Sequence, residues 1–238
     1  MKTDAARIWR QFPAAAEYLS GIYIVQRDYG GVTNTHLASW VGVSNSAVTQ
    51  VLGRLKKLGL ARQIRYGAIG LTAEGTELAV KVLRRHALLE HLLVGVLQYP
   101  WEKADEEAKR LQSQISEDLT EHLFLRFGSP QTCPHGNPLP GSPAEARLLR
   151  APRLSQAPVR AAVKIVRITE EGEQVPHMLD FCHAKGIQPG ARFRVLEPEG
   201  PGVRLARLER AAAHAPAPEA ISMALSLAEY VRYELNTH

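Results

Sequence analysis

His86 and Glu90 stand four residues apart in a run that reads as helix, so both side chains leave the same face and could grip one cation between them. Taken alone, the pair reads more simply as a surface histidine beside a glutamate that pairs with a nearby arginine. Cys133 with His135, and Cys182 with His183, invite a zinc reading. The two pairs lie far apart, however, and neither has the C-x-x-C spacing of a convincing zinc site. His122 and His177 read as surface or packing histidines. A different chemistry is written between Tyr29 and Ala73, where no Asp or Glu occurs while Arg54, Lys56, Lys57, Arg62 and Arg65 all fall there. Such a stretch is built to meet an anion.

The elements that must carry these residues follow from apolar spacing. Ala15, Tyr18, Leu19 and Ile22 predict a helix over 14–25, broken at Gly30-Gly31. A short helix over 35–40, capped by Thr33 or Asn34, leads through Gly42 into a second, capped by Ser44 or Asn45 and ending at Gly59. Two short strands around Tyr66-Gly67 follow. A short helix, a glycine turn and a second helix that opens on small polar residues make a helix-turn-helix, whose second helix enters the major groove. Ser44, Ser46, Thr49 and Gln50 are placed to read base edges. Arg54, Lys56 and Lys57 continue towards phosphates, and Arg65 and Tyr66 sit at the tip of a wing. A solvated basic face on an ordinary helical domain would not need that spacing.

Residues 73–128 read as helix throughout, with an apolar stripe at Leu78, Val82, Leu88, Leu89, Leu92 and Val96, then helices over 102–114 and 116–127. So much apolar surface in a short segment points to partner helices from a second subunit. Prolines and glycines predict a loop and linker over 129–158. Beyond it, β-like runs at 159–168, 192–196, 203–208 and 229–235, with a short helix at 178–184, predict a small β-barrel; 211–218 reads as a loop.

Composition bounds the function. The chain has 238 residues, a net charge of +5, an ordinary 45% hydrophobic share and only two cysteines, too few for a disulfide scaffold, so a reducing cytoplasm fits. Neither a secretory leader nor a membrane span is expected. No H-E-x-x-H, P-loop, dinucleotide-binding or nucleophile-elbow pattern occurs, so no enzyme class is suggested.

Glu17-Tyr18-Leu19, Ile22-Tyr23, Val43-Ser44, Val48-Thr49-Gln50, Leu58-Gly59-Leu60, Gly70-Leu71-Thr72, Arg84 through Glu90, Ile115 through Asp118 and Cys133 through Gly141 together resemble the diphtheria-toxin-repressor family of metal-dependent regulators. The likeness covers nearly the whole chain and is strongest up to Gly141. It implies a mainly α chain with a small β part: a winged helix-turn-helix DNA-binding domain (1–72), a helical metal-binding and dimerisation domain (73–141), a Pro-rich linker (142–158) and an SH3-like β-barrel (159–238). It implies a homodimeric repressor on a palindromic double-stranded DNA operator, with Mn(II) as corepressor, Fe(II) as the alternative, and metal homeostasis as the regulated process. A winged-helix regulator without metal control, or an architectural DNA binder without sequence preference, are the rival readings.

The resemblance also assigns ligands. The ancillary metal site of the family falls on His86, Glu90 and Asp105, joined from the SH3-like domain by Glu171 and Gln174, or by Glu170 and Glu173 if the alignment slips by one. The primary site falls on Glu17, Lys109, Gln112 and Ser113, with Ser20 where relatives use a carboxylate. A protonated lysine cannot bind metal, so this second site is degenerate, unless Glu106 or Glu107 serves instead. The mismatch suggests that the Lys109 ammonium lies where a cation would and pairs with Glu17.

Overall fold

In the computed structural model, residues 8–9, 11–63, 68–208 and 220–236 are described. Two compact units result, one formed by Met1–Leu89 with Glu106–Ser129, the other by Glu90–Asp105 with Pro130–His238.

In the first unit, α1 (Ala15–Tyr29) buries Leu19, Ile22 and Val25 along one stripe and stops where Gly30 turns left-handed. α2 (Asn34–Val41) is capped by the Thr33 hydroxyl, which accepts from the His36 N–H. Gly42, at φ +73°, makes the turn into α3 (Asn45–Lys57). The hydroxyl of Ser44 caps α3, and Val48, Leu52 and Leu55 form its buried face. β1 (Ala61–Gln63) and β2 (Ile69–Leu71) pair antiparallel, with Val32 bridging to Ile69. The expected wing tip, Arg65 and Tyr66, lies outside the described residues.

α4 (Ala73–His91) packs Leu78, Ala79 and Val82 into the same core. The single helix expected up to residue 97 instead passes into a π-helical turn, Leu92–Val96. A 3₁₀ turn (Trp101–Lys103) leads to α5 (Ala104–Leu111). α6 (Glu117–Arg126) is capped by Ser116. It is tied to α4 by Arg84–Glu121 (2.7 Å) and Arg85–Glu117 (2.9 Å), with the Arg84 guanidinium 4.1 Å above the Phe124 ring.

The second unit differs from the sequence reading in more than one respect. Part of the Pro-rich segment is ordered structure: α7 (Glu145–Arg150) buries Leu148, and a 3₁₀ turn (Leu154–Gln156) drives Leu154 into the core. A five-stranded antiparallel sheet follows, in the order β6-β5-β4-β3-β7. Its strands are β3 (Ala162–Ile168), β4 (Arg192–Leu196), β5 (Val203–Arg207), β6 (Ile221–Met223) and β7 (Val231–Leu235). β6 was not expected from the sequence. α8 (Glu170–Glu173), α9 (Met178–Lys185) and α10 (Leu225–Ala228) complete the unit. Ile165, Ile168, Phe193, Val195, Leu205 and Tyr233 fill the core on the α9 side. No helix among the described residues is long and apolar enough to cross a membrane.

Candidate metal centre and nucleic-acid interface

The exposed face of α3 carries Ser46, Thr49, Gln50, Arg54, Lys56 and Lys57, all open to solvent. Their roles separate once hydrogen bonds are followed. Ser44 is occupied as the helix cap and lies 2.9 Å from the Ser46 hydroxyl. The Thr49 hydroxyl donates to Asn45 O (2.9 Å) and accepts from Asn34 Nδ2 (3.0 Å), so its polar group is already engaged. Arg54 donates to Gln11 O (2.8 Å), and its guanidinium lies 4.1 Å above the Phe12 ring. It therefore braces α3 against the preceding segment. Lys56 donates to the Gln63 side chain, whose amide in turn donates to Ala68 O, linking α3 to the wing strands.

The second unit gathers a different set. Glu90, Cys133, His135 and Glu173 each offer one ligand atom, all within 4.8 Å of one another. His135 is fully enclosed: Nδ1 lies 3.1 Å from Glu90 Oε1 and 3.5 Å from Glu173 Oε1, and Nε2 lies 3.0 Å from Trp101 O. A carbonyl can only accept, so Nε2 carries the proton and Nδ1 is the nitrogen that faces the carboxylates. The loop bearing Cys133 and His135 is held by Trp101 Nε1 donating to Pro134 O (3.1 Å) and Ile168 N donating to His135 O (2.9 Å). Gly136 is required there, at φ +89°, because a Cβ would stand 2.2 Å from Val166 O.

Asp105 is also buried and offers a ligand atom within 4.8 Å of one from Glu90; His86 stands one turn before Glu90 in α4. Of the pair assigned in α8, Glu171 is not part of either ligand group, and the Gln174 amide donates back to Glu170 O (3.2 Å). Glu173, the slipped alternative, is the α8 residue in the cluster.

Electrostatics describe a site short of positive charge. Burial disfavours imidazolium, yet the Glu90 carboxylate, helped by Glu173 and Asp105, raises the His135 pKa to about 9. Burial, then the Asp105 carboxylate, pushes Glu173 well above its ordinary range. Burial and the carboxylates of Glu90 and Glu173 do the same to the Cys133 thiol. All three shifts favour the protonated forms of these groups. Two carboxylates, one imidazole and one thiol, all buried, fit a divalent metal ion.

The iron-dependent-repressor N-terminal DNA-binding domain matches residues 12–69, and the iron-dependent-repressor metal-binding and dimerisation domain matches residues 72–141. The iron-dependent repressor IdeR of Mycobacterium leprae is 34% identical over 191 residues, spanning 75% of this chain and 81% of that protein. The chain belongs to the iron-dependent repressor family. Among solved structures, a manganese-dependent transcriptional repressor in complex with manganese is 28% identical with a TM-score of 0.77, covering 93% of this chain and 100% of that one. The IdeR of T. acidophilum is 25% identical with a TM-score of 0.69, covering 93% and 97%.

As a member of this family of metal-dependent DNA-binding repressors, the chain departs from the expected second site. Glu17 is exposed; partial burial raises its pKa and the Lys109 ammonium lowers it. The Ser20 hydroxyl is spent on Ala16 O (2.7 Å), and Gln112 is buried. A lysine beside one carboxylate does not fit a metal site. Cys133 and His135 are the residues sequence reasoning set aside. Their signal was present in the Cys133–Gly141 motif, but a C-x-H spacing whose neighbours in the cluster come from α4 and α8 matches no zinc template.

Proposed function

We propose that this protein is a transcriptional repressor that binds a palindromic DNA operator as a homodimer, with a divalent cation as corepressor, in the cytoplasm. The buried group Glu90–Cys133–His135–Glu173, in a chain that also carries an acid-poor recognition helix, is the observation that supports it most. The domain plan is DNA binding over 1–72, metal binding and dimerisation over 73–141, a connection over 142–158 and an SH3-like part over 159–238.

In the metal centre, Cys133, His135 Nδ1, Glu90 and Glu173 hold the ion, with Asp105 beside Glu90. A bound divalent cation supplies the positive charge that protons otherwise provide. Trp101 O keeps the His135 ring in the tautomer that presents Nδ1. Carboxylates and imidazole suit Mn(II); the Cys133 sulfur favours Fe(II) as the alternative. Lys109 takes the place of a cation beside Glu17, so that one ion per chain suffices.

At the operator, Gln50 and Ser46 read base edges and the Thr49 methyl meets an apolar base edge such as thymine's. Lys56 and Lys57 engage phosphates, as do Arg65 and Tyr66 from the wing. Ser44 and Arg54 set the position of α3. A cation bound better by the DNA-competent arrangement shifts the population towards it, and coupling of about 1–3 kcal/mol changes operator affinity by roughly 5–150-fold.

Footprinting with Mn(II), with Fe(II) under reducing anaerobic conditions and without metal tests this reading. Protection of one palindromic site, strengthened by metal, is expected. Protection without a defined boundary, or none under any condition, overturns it.

A further inference from the structure

β3 breaks the alternation of a half-buried strand at its end. Its register to β7 shifts between Ile165 and Arg167, a bulge, and the result is a run in which Ile165, Val166, Arg167 and Ile168 are all buried. Bulges re-aim side chains, and here the one re-aimed is an arginine left 1% exposed, which a core does not accommodate without dedicated partners. Arg167 Nε donates to Asn137 Oδ1 (2.6 Å), and Nη2 donates to Glu170. Because arginine only donates, Asn137 must turn its oxygen to Arg167 and its amide nitrogen away. Asn137 Nδ2 then donates to Glu173 Oε1 (2.6 Å), the same oxygen that lies 3.5 Å from His135 Nδ1. The polar contacts form a ring: Arg167, Asn137, Glu173 and, through one turn of α8, Glu170 back to Arg167.

We infer that Arg167 and Asn137 are positioning residues for the metal centre: they lock the Glu173 carboxylate into its ligating orientation before any ion arrives. This rests on the metal reading of the cluster proposed above. Neither side chain is a ligand. Their part is to remove the search a free glutamate would make, and groups of this kind change metal affinity by about 10–100-fold when lost.

The test uses the full-length protein and the metals alone, Mn(II) and Co(II), in direct binding titrations, with circular dichroism and thermal unfolding of the metal-free forms. Asn137→Ala should weaken both ions by about 10–100-fold while the metal-free fold is retained. The Co(II)–thiolate band should appear at its wild-type wavelength once saturated, because Cys133 still ligates. Arg167→Lys keeps the charge but loses the fork, and should fall between wild type and Asn137→Ala. It carries the comparison alone if Asn137→Ala does not fold. Wild-type affinity in both variants, while Glu173→Gln loses metal, overturns the positioning role. Wild-type affinity in Glu173→Gln and His135→Ala overturns the metal centre itself, and the positioning role with it.

Discussion

His135 has no freedom of orientation: one ring nitrogen is committed to a backbone carbonyl, and the other faces two carboxylates. Replacing it by alanine removes the nitrogen ligand and should cost at least the roughly 100-fold that marks the upper end of outer-shell losses, read by Mn(II) titration. Cys133→Ser is more discriminating. It exchanges a soft donor for a hard one, so affinity for Zn(II) and Fe(II) should fall more than affinity for Mn(II). Equal losses across the three ions would mean that the sulfur is not a ligand. On the DNA face, Gln50→Ala should cost about 1–3 kcal/mol of discrimination at one base pair and leave the salt dependence unchanged. Lys57→Ala should do the reverse, weakening all sequences and lowering the salt slope by about 1, as measured by fluorescence anisotropy on matched and mismatched operators. The exposed face that carries these residues was legible because one helix presents them at successive positions. The buried cluster was half legible: Glu90 and Asp105 came from the family pattern and Glu173 from its slipped alternative, whereas the approach of Cys133 and His135 to Glu90 and Glu173 joins a loop to two helices that meet only in the fold.

Elements that announce themselves through caps and glycines were read well. Thr33, Ser44 and Ser116 each accept the backbone N–H that ends a helix must satisfy, and Gly30, Gly42 and Gly59 adopt the positive φ their positions demand. Elements held by distant packing were not. The turn carrying Leu154 lies among prolines and exists because the sheet core takes up that side chain. The bulge at Val166 leaves no local signature at all. The Leu154 turn is further fastened to the chain before β7 by Glu229, which accepts from Arg153 (2.6 Å) and from Ser155. The Ser155 hydroxyl, with Arg153 and Arg232 nearby, holds the Glu229 carboxyl below its usual range. A depressed acid contributes stability that is present above its unfolded value of 4.5 and is lost as pH falls through the folded value. Glu229→Gln should therefore lower the melting temperature slightly at pH 7 and progressively less as the pH falls below 4.5; an equal shift throughout would show that the charge is not involved. In α3, Leu52→Ala should cost about 2–5 kcal/mol by opening a cavity under the recognition helix, visible in denaturant unfolding.

At the scale of the whole molecule, one unit carries an exposed basic helix and the other a buried cluster of candidate metal ligands. Binding of metal to the native chain alone must stabilise it, by about 2.7 kcal/mol at a concentration 100 times the dissociation constant. If the Glu17 site is degenerate as proposed, with the Lys109 ammonium acting on that carboxylate, the expected stoichiometry is one ion per chain. The measurement that bears most directly on the central claim is operator affinity of wild type and His135→Ala, each with and without Mn(II), in one buffer. Metal should tighten wild-type binding by roughly 5–150-fold and leave His135→Ala at the metal-free wild-type level. Equal affinity in all four conditions, or full metal activation of His135→Ala, would contradict it.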